Sequence, residues 1–233
     1  MRQSDEIITT IDQAATLPIP SILRTETLAR RAYTALRSSI RSGAISTNRF
    51  YSEVQLARAL QISRTPVREA LIQLEREGLV EIVPQRGFRL RSISEAERQE
   101  AFELRELIEV FVVRRLAVEA SDKNVASLRA ILLEQAAVIS EPTAFIDADE
   151  DFHLAMPTLL HLERTREILL TLRGIIWLSG LDAVRVPERR SAVLEEHELL
   201  VDRIAAHDSD GAAKAMRAHI RLTRRALSQG KRT

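Results

Sequence analysis

"SRTPVREALIQLEREGLV", residues 63–80, decides how the amino-terminal third of this chain folds. Val67, Ala70, Leu71 and Leu74 recur at i, i+3, i+4 and i+7, the spacing that gives a helix one apolar stripe. Pro66 falls in the first turn, where its missing N–H would have no partner anyway, and Gly78 supplies the stop. The spacing predicts a helix from about Thr65 to Glu77. After Gly78 the period shortens to two. "LVEIV" (79–83) and "FRLRS" (88–92) flank "PQRG" (84–87) and read as a β-hairpin. Upstream, Leu28, Ala32, Leu36 and Ile40 predict one helix, closing at Gly43. Val54, Leu56, Ala57 and Leu60 predict a second, after Ser52. Three helices, the last two joined by the short "QIS" (61–63), followed by a hairpin, make a winged helix-turn-helix.

The apolar stripe leaves Thr65 and Arg68 on the open side of the third helix, with Ser63 and Arg64 at its mouth. A helix N-terminus carries partial positive charge and free N–H groups, which suit a phosphate. Arginine adds the planar fork that matches guanine O6 and N7 in the major groove. Arg64 and Arg68, one turn apart, are therefore expected to divide base and backbone contacts. Arg86 and Gly87 at the hairpin tip are expected to reach an adjacent groove or phosphate. The competing reading is a solvated helix face paired with Glu69 and Glu75, and the order of elements around the helix argues against it.

Charge is divided along the chain. Residues 1–91 carry 14 Lys/Arg against 9 Asp/Glu, and residues 92–233 carry 20 against 24. A basic module for a polyanion joined to an acidic module with another task fits this division. The absence of cysteine excludes disulfides and thiolate metal sites. No apolar run reaches the roughly 18 residues of a membrane helix, and the first twenty residues lack the pattern of a signal peptide. A soluble, cytoplasmic protein without membrane attachment is expected. Residues 1–21 read as a flexible arm, 22–92 as the winged helix-turn-helix, and 93–230 as a second domain. From Ser94, which forms a predicted capping box with Glu97, only helical signals occur. The predicted helices cover about 95–120, 123–139, 142–160, 164–182, 188–206 and 209–228. Six helices with short connections imply an antiparallel all-α bundle, so the fold class is mainly α. Pro157 is expected to kink or end the third of them.

Five histidines lie in this second domain. Asp149 and His153 are four apart, hence on one helix face. His197 and His219 are each 11 residues from position 208 in the "HDSDG" turn, so a helical hairpin centred there sets them at one height. Three histidines and a carboxylate suit a borderline divalent ion such as Zn²⁺ or Ni²⁺. His161 reads as exposed and His207 as a helix-end charge interaction. Asp147, Glu150 and Asp151 read as ordinary solvated charge.

Residues 50–90, "FYSEVQLARALQISRTPVREALIQLEREGLVEIVPQRGFRL", resemble the DNA-binding domain of the GntR family of bacterial transcription regulators. The resemblance assigns the recognition helix to the Ser63-Arg64-Thr65 opening with Arg68, and the wing glycine to Gly87. The chain departs from the family before the second helix, where "TNRF" (47–50) replaces a Pro-Gly and brings in Arg49 as a further backbone contact. "LRELIEVFVVRRLAVEAS", "DEDFH" and "EHELLVDRIAAHDSDGAAKAMRAHI" resemble the ligand-sensing FCD domain of FadR-type members. That resemblance implies a dimer, a metal held by Asp149, His153, His197 and His219, and a small carboxylate effector of the hydroxy-acid or sugar-acid class. It places Arg105 at the effector, with a salt bridge to Glu109 as the competing role. Arg173 and Trp177 are further effector candidates, Trp177 competing with a core role. The expected function is a homodimeric regulator on a palindromic operator in double-stranded DNA. The alternative is a metal-dependent enzyme acting on a small organic acid. It lacks an assignable general base and leaves the winged helix without a role.

Overall fold

The computed structural model describes residues 26–47, 49–179 and 187–229, so the arm expected over residues 1–21 lies outside the described residues. Helix α1 (Leu28–Arg41) starts where the Thr27 hydroxyl accepts the Arg30 N–H, and it buries Ala32, Tyr33, Leu36 and Ile40. Helix α2 (Glu53–Leu60) opens with a capping box between Ser52 and Gln55 and stops at Gln61 in the left-handed conformation. Helix α3 (Arg64–Arg76) buries Val67, Ala70, Leu71 and Leu74, all at most 1% exposed, against α1 and α2. Strands β1 (Val80–Val83) and β2 (Gly87–Leu90) pair antiparallel, with Val80 opposite Leu90.

The wing is anchored on a third short segment. Tyr51 and Phe88 exchange backbone hydrogen bonds of 2.8 and 2.9 Å, and their rings stack with centroids 5.6 Å apart. Gly87 sits where that segment crosses β2. Its φ is +101°, and a Cβ there would lie 2.2 Å from the Tyr51 carbonyl oxygen. Only glycine fits, because both the dihedral and the space exclude a side chain.

Six helices follow: α4 (Glu95–Glu119), α5 (Asp122–Ala137), α6 (Pro142–Leu159), α7 (Glu163–Ser179), α8 (Pro187–Ala205) and α9 (Ser209–Gln229). Helix α4 is the axis of the bundle, packing on α6, α7, α8 and α9. The predicted capping box at Ser94 is only half formed. The Ser94 hydroxyl accepts the Glu97 N–H, while the Glu97 carboxylate pairs with Arg91 instead of turning back to the cap. Helix α6 continues two residues past Pro157. So near the C-terminus the ring removes one intrahelical hydrogen bond without stopping the helix.

The two modules share a boundary. The Trp177 ring belongs to the apolar cluster of the winged helix, and a Cβ on Gly174 would lie 2.8 Å from the Glu77 carbonyl oxygen, so α7 touches the end of α3. The acids of α6 depart from expectation here. Asp151 is exposed, but Glu150 is 4% exposed and ion-paired with both Arg37 and Arg41, and Asp147 pairs with Arg41. For Glu150 solvation was the wrong expectation, because Arg37 and Arg41 of α1 meet this face of α6 and replace water with guanidinium groups, whereas Asp147 stays half-exposed.

Gly87→Ala is expected to destabilise the chain by about 1–3 kcal/mol from the backbone conformation alone, and by more once the clash with Tyr51 is included. Urea unfolding of the two proteins side by side measures this directly.

Candidate functional site

Ser63, Arg64, Thr65 and Arg68 are all exposed at the start of α3. Ser63 caps the helix by backbone conformation alone, without a side-chain hydrogen bond, and the first turn holds no acid. The free N–H groups of that turn therefore keep their affinity for an anion. Arg64 and Arg68 lean on Glu53 of α2 at 3.4 and 3.5 Å rather than on Glu69 or Glu75. Pairs this exposed are weak. On the wing, the Arg86 guanidinium stacks over the Phe50 ring at 4.8 Å, and Arg49 lies over Tyr51 at 5.5 Å. Both arginines are exposed, whereas Gly87 faces the Tyr51 backbone.

In the bundle, the structure brings Asp149 and His153 of α6 together with His197 of α8 and His219 of α9. One ligand atom from each lies within 4.8 Å of all the others. The three imidazoles are at most 2% exposed. Each is oriented through Nδ1: His153 donates to Glu109 of α4, His197 to the Gln135 amide oxygen of α5 at 3.0 Å, and His219 to Glu196 of α8 at 2.7 Å. With Nδ1 engaged as a donor, the atom each ring offers a metal is Nε2. The His197 ring also stacks on Phe152, centroids 4.2 Å apart. None of Glu109, Gln135 and Glu196 was expected as a partner of the histidines, Glu109 having been expected only as a partner of Arg105. A signal for two of them was present, since Gln135 shares the buried stripe of α5 with Leu128 and Leu132, and Glu109 sits among the buried residues of α4. A polar residue on an apolar stripe marks a buried polar partner.

Electrostatics keep the cluster ready for a cation. Burial pushes His153 and His197 well below the ordinary imidazole range, with Arg173 and Arg105 reinforcing it for His153 and His219 for His197. Burial opposes ionisation of Asp149, but the Arg173 guanidinium beside it holds its carboxyl well below the usual range. Neutral imidazoles at His153 and His197 and an ionised carboxylate at Asp149 are protonation states a divalent ion requires of its ligands. His197 Nε2 is buried without a hydrogen-bond partner and lies 3.6 Å from Asp149 Oδ1. An orphaned lone pair of this kind fits a metal ligand, and the four residues could hold a divalent ion.

Arg105 makes the salt bridge that was the competing role and also lines the cavity beside the cluster. It pairs with Glu109, and its Nη2 lies 3.2 Å from His153 Nε2. Beside the cluster is a cavity of about 80 Å³, lined by Arg105, Asp149, Arg173, Trp177 and His219 among others. Arg173 gives Nη2 to Asp149, while its Nε and Nη1 are buried without a partner. Trp177 Nε1 is likewise unpartnered, so Trp177 is both a core residue and a cavity wall. His161 is exposed, and the His207 ring donates to the Ala117 carbonyl at 2.8 Å, so neither joins the cluster. No helix among the described residues is long and apolar enough to cross a membrane.

Residues 28–90 match the profile of the bacterial regulatory proteins of the gntR family, and residues 100–222 match the FCD domain. The chain is 32% identical over 178 residues to the Nta operon transcriptional regulator of Aminobacter aminovorans, covering 72% of this chain and 80% of that protein. It is 27% identical over 201 residues to the HTH-type transcriptional repressor RspR of Escherichia coli K12, covering 84% and 87%. Among solved structures, E. coli McbR/YncC shares the fold with a TM-score of 0.74 at 22% identity, over 88% of this chain and 99% of that one. Winged helix, helical bundle and sequence kinship agree: this chain belongs to the GntR family with an FCD domain, and it is a DNA-binding transcription regulator.

Proposed function

We propose that the chain is a cytoplasmic, homodimeric, FadR-type regulator in which a small carboxylate, bound beside a metal ion in the bundle, sets affinity for a palindromic operator. One observation carries the effector part. The cavity that adjoins Asp149 and His219 also contains Arg173, whose buried Nε and Nη1 have no acceptor. Unspent guanidinium donors out of water favour an anionic acceptor such as a carboxylate. Arg105 supplies a second positive group, and Trp177 offers a free indole N–H. A hydroxy acid or sugar acid has the matching chemistry.

Asp149, His153, His197 and His219 would hold the ion, and three nitrogens with one oxygen suit Zn²⁺, with Ni²⁺ or another divalent ion as the alternative. Bound there, the ion would supply charge and open coordination positions for a ligand oxygen. Glu109, Gln135 and Glu196 keep the imidazoles in one tautomer, and the surrounding apolar core excludes water. For the operator, Arg64, Arg68 and Thr65 would meet base edges or phosphates, with Ser63, Arg49, Arg86 and the Gly87 backbone at the flanks. Leu104, Leu107, Phe111 and Val118 of α4 are 40–70% exposed. At 100° per residue they fall within about 60° of one another, an apolar stripe suited to a second copy of the chain. A two-fold dimer presents two recognition helices and hence reads a palindrome.

Asp149→Ala and His197→Ala are each expected to reduce zinc affinity by about 100-fold or more, measured by competition with a chromogenic chelator. Retention of zinc by both variants would sink the metal assignment. Metal-free protein is expected to lose stability as pH falls below about 6.5. The unfolded chain takes protons on His153 and His197 there, while the native state keeps them neutral, a loss of up to about 1.4 kcal/mol per pH unit for each. Urea midpoints at pH 7.5 and 5.5 test the sign. Arg64→Ala should weaken operator binding by about 1–3 kcal/mol and relax sequence preference, read by titrating labelled operator at fixed salt. Carboxylates screened against zinc-loaded protein should raise its melting temperature and change the emission of Trp177, the sole tryptophan. Arg173→Ala should abolish both responses.

A further inference from the structure

We propose that the clasp of Glu150 by Arg37 and Arg41 is the joint through which the metal cluster acts on the winged helix, with Glu150 as a positioning residue. The inference rests on the reading that Asp149 and its three histidines bind metal. Asp149 and Glu150 are consecutive on α6, so their side chains leave the helix about 100° apart. Asp149 points to Arg173 and His197, while Glu150 crosses the module boundary to Arg37 and to Arg41 Nη2, the latter at 3.0 Å. Glu150 and Arg41 are 4% and 2% exposed. A second contact runs parallel: the Arg41 guanidinium lies 5.2 Å from the Trp177 ring, and Trp177 lines the same cavity as Asp149 and Glu150. On the far side, α1 packs against α3, and the Tyr33 hydroxyl donates to Glu77 at the end of α3 at 2.8 Å.

A buried ion group tolerates little sliding, because separating its members strands charge away from water. Helices α6 and α1 therefore move together, and a change in how Asp149 is held is delivered one residue later to α1. From α1 it reaches α3, which carries Arg64 and Arg68. Sensor and reader are joined through side chains that touch neither DNA nor metal, which is the physical content of coupling between two sites.

The test uses the full chain, stripped with chelator and titrated with zinc chloride as the only probe. Amide hydrogen exchange is followed in peptides from α6, α1 and α3. In the parent protein, zinc should slow exchange by about tenfold or more in α6 and by a smaller measurable factor in α1 and α3. Arg41→Gln should keep zinc stoichiometry and the α6 response, and lose half or more of the response in α1 and α3. Arg37→Gln, a change at the less buried arginine that leaves the Arg41 pair in place, should lose less. The difference with and without zinc is the readout, so a general loosening of the variant does not mimic the result. A full α1 response in both variants overturns the proposal. So does zinc binding with α6 protection and a silent α1 in the parent, an outcome that leaves the metal reading intact. If zinc does not bind the parent at all, the metal reading falls first and this inference with it.

Discussion

Three imidazoles and a carboxylate buried at the centre of a helical bundle form the constraint on which the second module is organised. Removing such groups from water is costly unless their polar atoms are matched. The chain matches them with one acceptor for each Nδ1, drawn from α4, α5 and α8, and with Arg173 of α7 for Asp149. With the cluster residues themselves on α6, α8 and α9, all six bundle helices contribute to one polar centre. Their relative rotations are specified by hydrogen bonds as well as by apolar packing, since a half-satisfied network would cost more than an apolar core.

Helix α6 carries two unlike faces within seven residues. Asp149 and His153 look into the cluster, while Asp147 and Glu150 reach α1. Burial lowers the Arg41 pKa to about 10, a shift that Glu150 opposes. Arg41 keeps its charge at neutral pH, so the contact between modules is ionic and directional rather than a sliding apolar one. Trp177 closes the other side of the same joint, packed in the winged-helix core yet forming a wall of the cavity.

The reading head depends on simpler rules. An apolar stripe on α3 commits one face to the core and thereby presents Thr65 and Arg68 outward. Tyr51, placed just before α2, holds the wing through Phe88 and leaves no room for a side chain at Gly87. The wing's direction thus follows from a backbone crossing rather than from its own two strands, which alone would be marginal.

Much of this was legible in the residues themselves. Periodicity gave the helices to within a few residues, caps and glycines gave their ends, and the i, i+4 pair with two histidines equidistant from one turn gave the four cluster residues. These features are local, set by a helix's own 3.6-residue repeat and by its terminal N–H and C=O groups. What α6 meets on its second face was not local. Nothing within ten residues of Glu150 announces Arg37 and Arg41, more than a hundred positions away. The same holds for Glu109, Gln135 and Glu196 as the partners of the histidines. A sequence pattern states which face of a helix leaves water, but what that face touches depends on how helices rotate and cross. The sequence by itself therefore determined the elements and the four residues of the cluster. Only the tertiary structure decided which polar groups orient those side chains, and that an acid expected in solvent joins the two modules.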